Sequence, residues 1–165
     1  MALEIERTFL LRSHAWRALV HETQLIRDGL LLSDVGGKLR VRILDQRATL
    51  AFKGPRIGFT RQEYEYPIPL EEAEEMMILL ARGRVLTKRR HLVMLDGLTW
   101  EIDEYDAPLA DVALAEVELP SEGHPLILPD WVGQEITGDP NWRKSALLAR
   151  ALARTAPNVT KPSPG

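Results

Sequence analysis

Charged residues recur in this chain as pairs separated by one position. Glu4 and Glu6, Glu63 and Glu65, Glu101 and Asp103, and Glu116 and Glu118 are acidic pairs; Arg40 and Arg42, and Lys88 and Arg90, are basic ones. Alternate side chains of a β-strand share one face, so each pair would aim two charges of one sign into one space. Neighbouring carboxylates repel and lose hydration unless a cation or basic side chains answer them. Carboxylate oxygens are hard ligands that suit Mg²⁺ or Mn²⁺. Arg40, Arg42, Lys53, Lys88 and Arg90 would suit a polyphosphate: arginine offers forked hydrogen bonds to phosphoryl oxygens, and lysine a compact charge. A metal between the acids and the phosphates would join the two sets and offset charge that develops in phosphoryl transfer. The same alternation also fits a solvated face of an antiparallel sheet whose other side packs on helices, so the residue pattern alone leaves both readings open.

The elements that must position these residues follow from periodicity and punctuation. Residues 1–12 read as a strand, with Glu4, Glu6 and Thr8 on one face. Ser13 can cap a short helix over 13–21. Strands are expected over 24–33, 38–44, 48–53, 60–68, 85–94, 98–105 and 112–119, with turns at Gly36-Gly37 and Asp96-Gly97. Residues 69–81 form the clearest helix, acidic in its first half and closed by Gly83. Residues 129–132 suggest a short turn or helix, and 141–154 a last helix from which Lys144 could reach the same space, although it is outside the expected site set. The fold class is therefore α+β: about eight strands with few helices favour one closed or strongly curved antiparallel sheet. One domain over 1–154 and a flexible tail over 155–165, rich in proline, are expected.

Bulk properties narrow the function. With 165 residues the chain can bury a real core. A formal charge of -3 gives no whole-molecule attraction to nucleic acid or an anionic membrane. No cysteine is present, which excludes disulfides and thiolate metal sites. His14, His21, His91 and His124 have no zinc spacing, and Gly36-Gly37 lacks the Lys-Ser/Thr of a phosphate-binding loop. With no apolar leader or spanning stretch, a cytoplasmic location and no membrane partner are expected.

In their order, Glu4-Ile5-Glu6-Arg7-Thr8-Phe9-Leu10, Arg40-Val41-Arg42, Ala51-Phe52-Lys53-Gly54, Glu63-Tyr64-Glu65, Lys88-Arg89-Arg90, Trp100-Glu101-Ile102-Asp103 and Ala115-Glu116-Val117-Glu118-Leu119 resemble the CYTH superfamily, the triphosphate tunnel metalloenzymes. Thr137-Gly138-Asp139-Pro140 is similar to its bacterial members, and the resemblance runs to about residue 153. It implies an eight-stranded antiparallel closed barrel with flanking helices, forming a tunnel. It also implies Mg²⁺- or Mn²⁺-dependent chemistry on inorganic triphosphate or another triphosphate-containing small molecule, with no nucleic-acid partner and a possible homodimer. By position, Glu4, Glu6, Asp103, Glu116 and Glu118 correspond to metal-binding acids. Arg27, Arg40, Arg42, Lys53, Lys88 and Arg90 correspond to phosphate-binding positions, and Glu63, Glu65 and Lys88 to catalytic ones.

One departure stands out. The first motif is similar to an E-x-E-x-K signature, but its last position is Thr8, which has neither the charge nor the reach of lysine. Arg7 cannot replace it, because its side chain should leave the other strand face. Glu63 or Glu65 would then help to activate water. Hydrolysis of inorganic triphosphate to pyrophosphate and orthophosphate is the leading expectation. The alternatives are ATP cyclisation, as in class IV adenylyl cyclases, and polyphosphate binding without turnover.

Overall fold

The computed structural model describes residues 3–34 and 36–156. Nine strands form: β1 (Leu3–Leu11), β2 (Glu22–Asp34), β3 (Gly37–Leu44), β4 (Arg47–Lys53), β5 (Thr60–Ile68), β6 (Val85–Leu95), β7 (Leu98–Tyr105), β8 (Ala113–Glu118) and β9 (Val132–Glu135). Eight of them pair antiparallel in the ring β1-β5-β4-β3-β2-β6-β7-β8, which closes where β8 returns to β1. The barrel implied by the resemblance is therefore present. β9 pairs with Phe9 and Leu11, on the edge of β1 beyond the residues Leu3, Glu4 and Ile5 that pair with β5. The turn between β6 and β7 has positive φ at Asp96 (51°) and Gly97 (77°), which a two-residue hairpin turn of this hand requires.

Two local expectations change. Residues 13–21 make only a 3-10 turn, Ala15–Leu19, anchored by the buried Trp16, and Ser13 Oγ accepts from the Ala15 N–H at its start at 3.4 Å. Residues 129–132 form the expected turn, closed by the Val132 N–H donating to the Pro129 carbonyl at 3.0 Å, and β9 follows it, because the open edge of β1 supplies backbone partners that four residues can reach. The last helix, α2, spans Lys144–Thr155 and is preceded by a 3-10 turn over Pro140–Trp142, where Asp139 accepts from the Asn141 N–H at 2.9 Å. Thr155 thus belongs to α2, and the expected tail from residue 157 onward lies outside the described residues. No helix among the described residues is long and apolar enough to cross a membrane.

The barrel is charged inside and apolar outside. Ile5, Phe9, Trp100, Ile102, Ala115 and Val117 face outward into a buried cluster with Trp16 and Trp131. On another side, Ala73 and Met77 of α1 (Leu70–Leu79) cover Val41, Ile43 and Ala48. Gly29 permits that approach, since a Cβ there would lie 2.8 Å from the Met77 sulfur. At one end the inward faces turn apolar. Leu10, Leu30, Leu86, Tyr105 and Leu114 share strand faces with Thr8, Asp28, Lys88, Asp103 and Glu116, and they pack with Leu147, Leu148 and Ala151 of α2. This packing fixes α2 across that end and sets its first residue, Lys144, beside the charged interior.

Candidate active site

Strand parity brings the charged pairs together. Two cavities of about 670 and 490 Å³ share Glu6, Lys53, Glu116 and Lys144 as lining residues. These volumes suit a small ligand. The larger, on the α2 side, is also lined by Lys38, Arg40, Arg56 and Arg61. The smaller is lined by Glu4, Arg42, Glu63, Glu65, Arg90, Glu101 and Glu118. In the β3–β4 pair, Arg40 lies opposite Ala51 and Arg42 opposite Thr49, small residues that leave room for guanidinium groups.

Two buried hubs organise the interior. In the first, Asp103 accepts from Arg90 at 2.7 Å (Nε to Oδ1) and 2.8 Å (Nη2 to Oδ2), and Lys88 donates to its second oxygen. Burial alone would raise the Asp103 carboxyl; Arg90 and Lys88 overturn this and hold it well below the usual carboxylate range. Arg90 also reaches Glu116 at 2.9 Å and pairs with Glu101. In the second hub, Glu4 accepts from Lys53 at 2.8 Å on one oxygen and from Arg61 on the other. Burial opposes ionisation of Glu4, but the Arg61 hydrogen bond and the Lys53 charge keep it far below its ordinary value. Lys53 also donates to Glu63 at 2.6 Å.

These contacts place the expected site residues. Arg27 does not enter the barrel: Arg42 lies opposite Asp28 in the β2–β3 register, so parity turns Asp28 inward and Arg27 outward, where it pairs with Glu74 of α1. Asp28 accepts from Arg42 at 2.8 Å and lies 3.7 Å from Arg40 and 3.9 Å from Lys88. Asp103, expected as a metal ligand, has both oxygens engaged by cations, and Glu4 is engaged in the same way. Lys88, expected to touch substrate, is 1% exposed and lies outside the lining of both cavities. It and Asp103 form a clamp that positions Arg90. Arg56, outside the expected site set, donates to Glu6 Oε1 and to the Glu6 backbone carbonyl at 3.1 Å each. Its place in a loop between strands carries no periodic signal. Arg7 leaves the outer face as expected and pairs with Glu135 at 2.6 Å.

The two sides differ in residual charge. Burial, with Arg61 and Arg40 nearby, pushes Lys38 down to about 8, the mark of unanswered positive charge. Glu6 is pushed up by burial and by Glu116 and Glu4 although Arg56 donates to it, and Glu118 by burial and by Glu4 and Glu101, the mark of crowded negative charge. Among the described residues no three acidic or histidine side chains are gathered into a ready metal cage. The donor set nevertheless fits a divalent cation, because Glu6 lies opposite Glu118 across β1 and β8 and both carry charge that a cation would offset.

Glu63 has a measurable signature. Burial and the neighbouring Glu4 push it up to about 7, against the pull of Lys53. The folded chain then holds this proton more tightly than the unfolded chain between about pH 4.5 and 7. Glu63 therefore contributes a loss of stability as pH rises through that window. Glu63→Gln removes the loss, and the melting temperature of the variant relative to wild type should climb between pH 5 and pH 8. A constant difference across that range would contradict the raised value.

The family model described as the CYTH domain matches residues 2–145. An inorganic triphosphatase of Acetivibrio thermocellus is 37% identical over 148 residues, covering 90% of this chain and 94% of the relative. An inorganic triphosphatase of Nitrosomonas europaea is 34% identical over 150 residues, covering 87% and 95%. A crystal structure of an inorganic triphosphatase matches with a TM-score of 0.63 and 30% identity over 90% of this chain and 95% of that one.

Proposed function

The chain belongs to the CYTH domain family, and we propose that it hydrolyses inorganic triphosphate to pyrophosphate and orthophosphate. The observation that carries this reading is Arg40: it is buried, it lines the larger cavity, and its Nε has no hydrogen-bond partner among the described residues. A buried guanidinium left short of acceptors is poised for an anion with many oxygens.

Arg40, Arg42, Lys53 and Arg90 would align the phosphates. Glu63, set near neutrality and lining the acidic side, would take a proton from the attacking water. The water oxygen forms a bond to the terminal phosphorus, the phosphoanhydride bond breaks, and pyrophosphate leaves with the bonding electrons. Mg²⁺ or Mn²⁺ would be held by Glu6, Glu116 and Glu118 and, when bound, supplies charge that offsets the developing negative charge on phosphoryl oxygens. Walls of ion-paired side chains keep bulk water from screening these interactions.

Product analysis with triphosphate and ATP, each with Mg²⁺, Mn²⁺ or EDTA, tests the reading. Equal yields of pyrophosphate and orthophosphate, abolished by EDTA, are expected. Cyclic AMP from ATP as the main product, or intact triphosphate under all conditions, would overturn it. Glu63→Gln should lower kcat by about 10²–10⁴-fold and remove a rising pH limb near 7.

A further inference from the structure

Thr8 leaves a place in the interior that another element fills. On the β1–β8 pair Thr8 lies directly opposite Glu116, and both line the larger cavity. Opposed residues of antiparallel strands hold their Cβ atoms about 5 Å apart, so a lysine at position 8 would set its ammonium beside the Glu116 carboxylate. The Lys144 ammonium stands there instead, 3.7 Å from Glu116 Oε2. It comes from the first turn of α2, which carries no acidic residue to balance it. A cation at a helix N-terminus opposes the helix dipole, so helix stability does not explain the residue. Lys144 lines both cavities, and its charge is felt at Glu6, Asp28, Asp103 and Glu116.

We propose that Lys144 is a catalytic residue that contacts the phosphoryl group under attack and supplies, from α2, the positive charge that β1 lacks at Thr8. In this chain the cation beside Glu116 thus comes from α2 and not from β1. The apolar packing of Leu147, Leu148 and Ala151 over the barrel end is what makes α2 rigid enough to serve as its base. This inference rests on the triphosphatase reading, and a binding measurement separates the two.

Four chains decide it: wild type, Lys144→Met, Thr8→Lys, and the double variant. Each is assayed for turnover of triphosphate with Mg²⁺ and for triphosphate affinity in EDTA by calorimetry. Lys144→Met should lower kcat about 100-fold and weaken binding about 10-fold. The double variant should recover most of both, because lysine at position 8 reaches the same carboxylate. Thr8→Lys alone should gain little, since two ammonium groups would crowd Glu116. Restoration at a different element is a result that loss of helix packing cannot mimic. Full activity and affinity in Lys144→Met, or a double variant as impaired as Lys144→Met, overturns the proposal. If wild type binds triphosphate without hydrolysing it, rescue of affinity still upholds the role of Lys144 while the hydrolytic reading fails. If wild type binds none, both fall.

Discussion

Asp103→Ala should destabilise the barrel by about 3–5 kcal/mol, a large part of the stability of a domain this size. Asp103 is fully buried and holds Lys88 and Arg90, themselves nearly enclosed. Its removal leaves two buried cations facing each other, with only Asp28 at 3.9 Å for Lys88 and the acids Glu101 and Glu116 for Arg90. Adding Lys88→Met to Asp103→Ala should recover part of the loss by removing one of those cations. Urea denaturation measures both, and the same loss should appear in EDTA and in Mg²⁺, because the clamp needs no metal. A loss under about 1 kcal/mol, or one seen only in Mg²⁺, would return Asp103 to the role of metal ligand that its place in the motif suggests.

Arg40→Met should do the opposite: stability without ligand holds or rises, while binding collapses. Among the described residues the buried guanidinium has one unpartnered nitrogen and a 3.7 Å contact to Asp28, so removing it relieves a desolvated charge. Asp28 remains paired to Arg42 through two hydrogen bonds of 2.8 and 3.3 Å, so no carboxylate is orphaned. Hydrogen bonds to charged groups are worth about 1.5–3 kcal/mol each, so triphosphate affinity should fall roughly 10- to 150-fold per bond lost. Thermal denaturation with and without triphosphate reads both effects. A drop in melting temperature of the unliganded variant together with unchanged ligand stabilisation would make Arg40 a structural residue.

These two variants mark where the sequence was legible and where it was not. The pairs Glu4 and Glu6, Arg40 and Arg42, and Glu116 and Glu118 could be placed on shared faces because a period of two survives any register. Most strand bounds followed from the same alternation, while closure into a barrel was implied by the motif resemblance. The motif resemblance then chose the inner face. Arg27 and Asp28 defeated this logic: adjacent opposite charges each fit an inward position, and only the pairing of Asp28 with Arg42 decides between them. For Lys88 and Asp103, sequence shows that a charge points inward and not how deep it lies. Depth depends on where apolar residues such as Leu86 and Tyr105 begin to fill the barrel. Arg56 lies in a loop without periodicity, and β9 forms only because β5 leaves the edge of β1 open at Phe9. Lys144 was legible as a late basic residue, but its target, Glu116, required the packing of α2.

The central claim is that opposed charges from distant strands enclose one triphosphate. Diffraction from crystals of the wild-type chain soaked in triphosphate with EDTA tests it directly. The account predicts a single triphosphate inside the barrel, with an oxygen on Arg40 Nε and further oxygens on Arg42, Lys53 and Arg90. Triphosphate bound against the outer face, for instance at the exposed Arg89, with Arg40 still unpartnered inside, would contradict it.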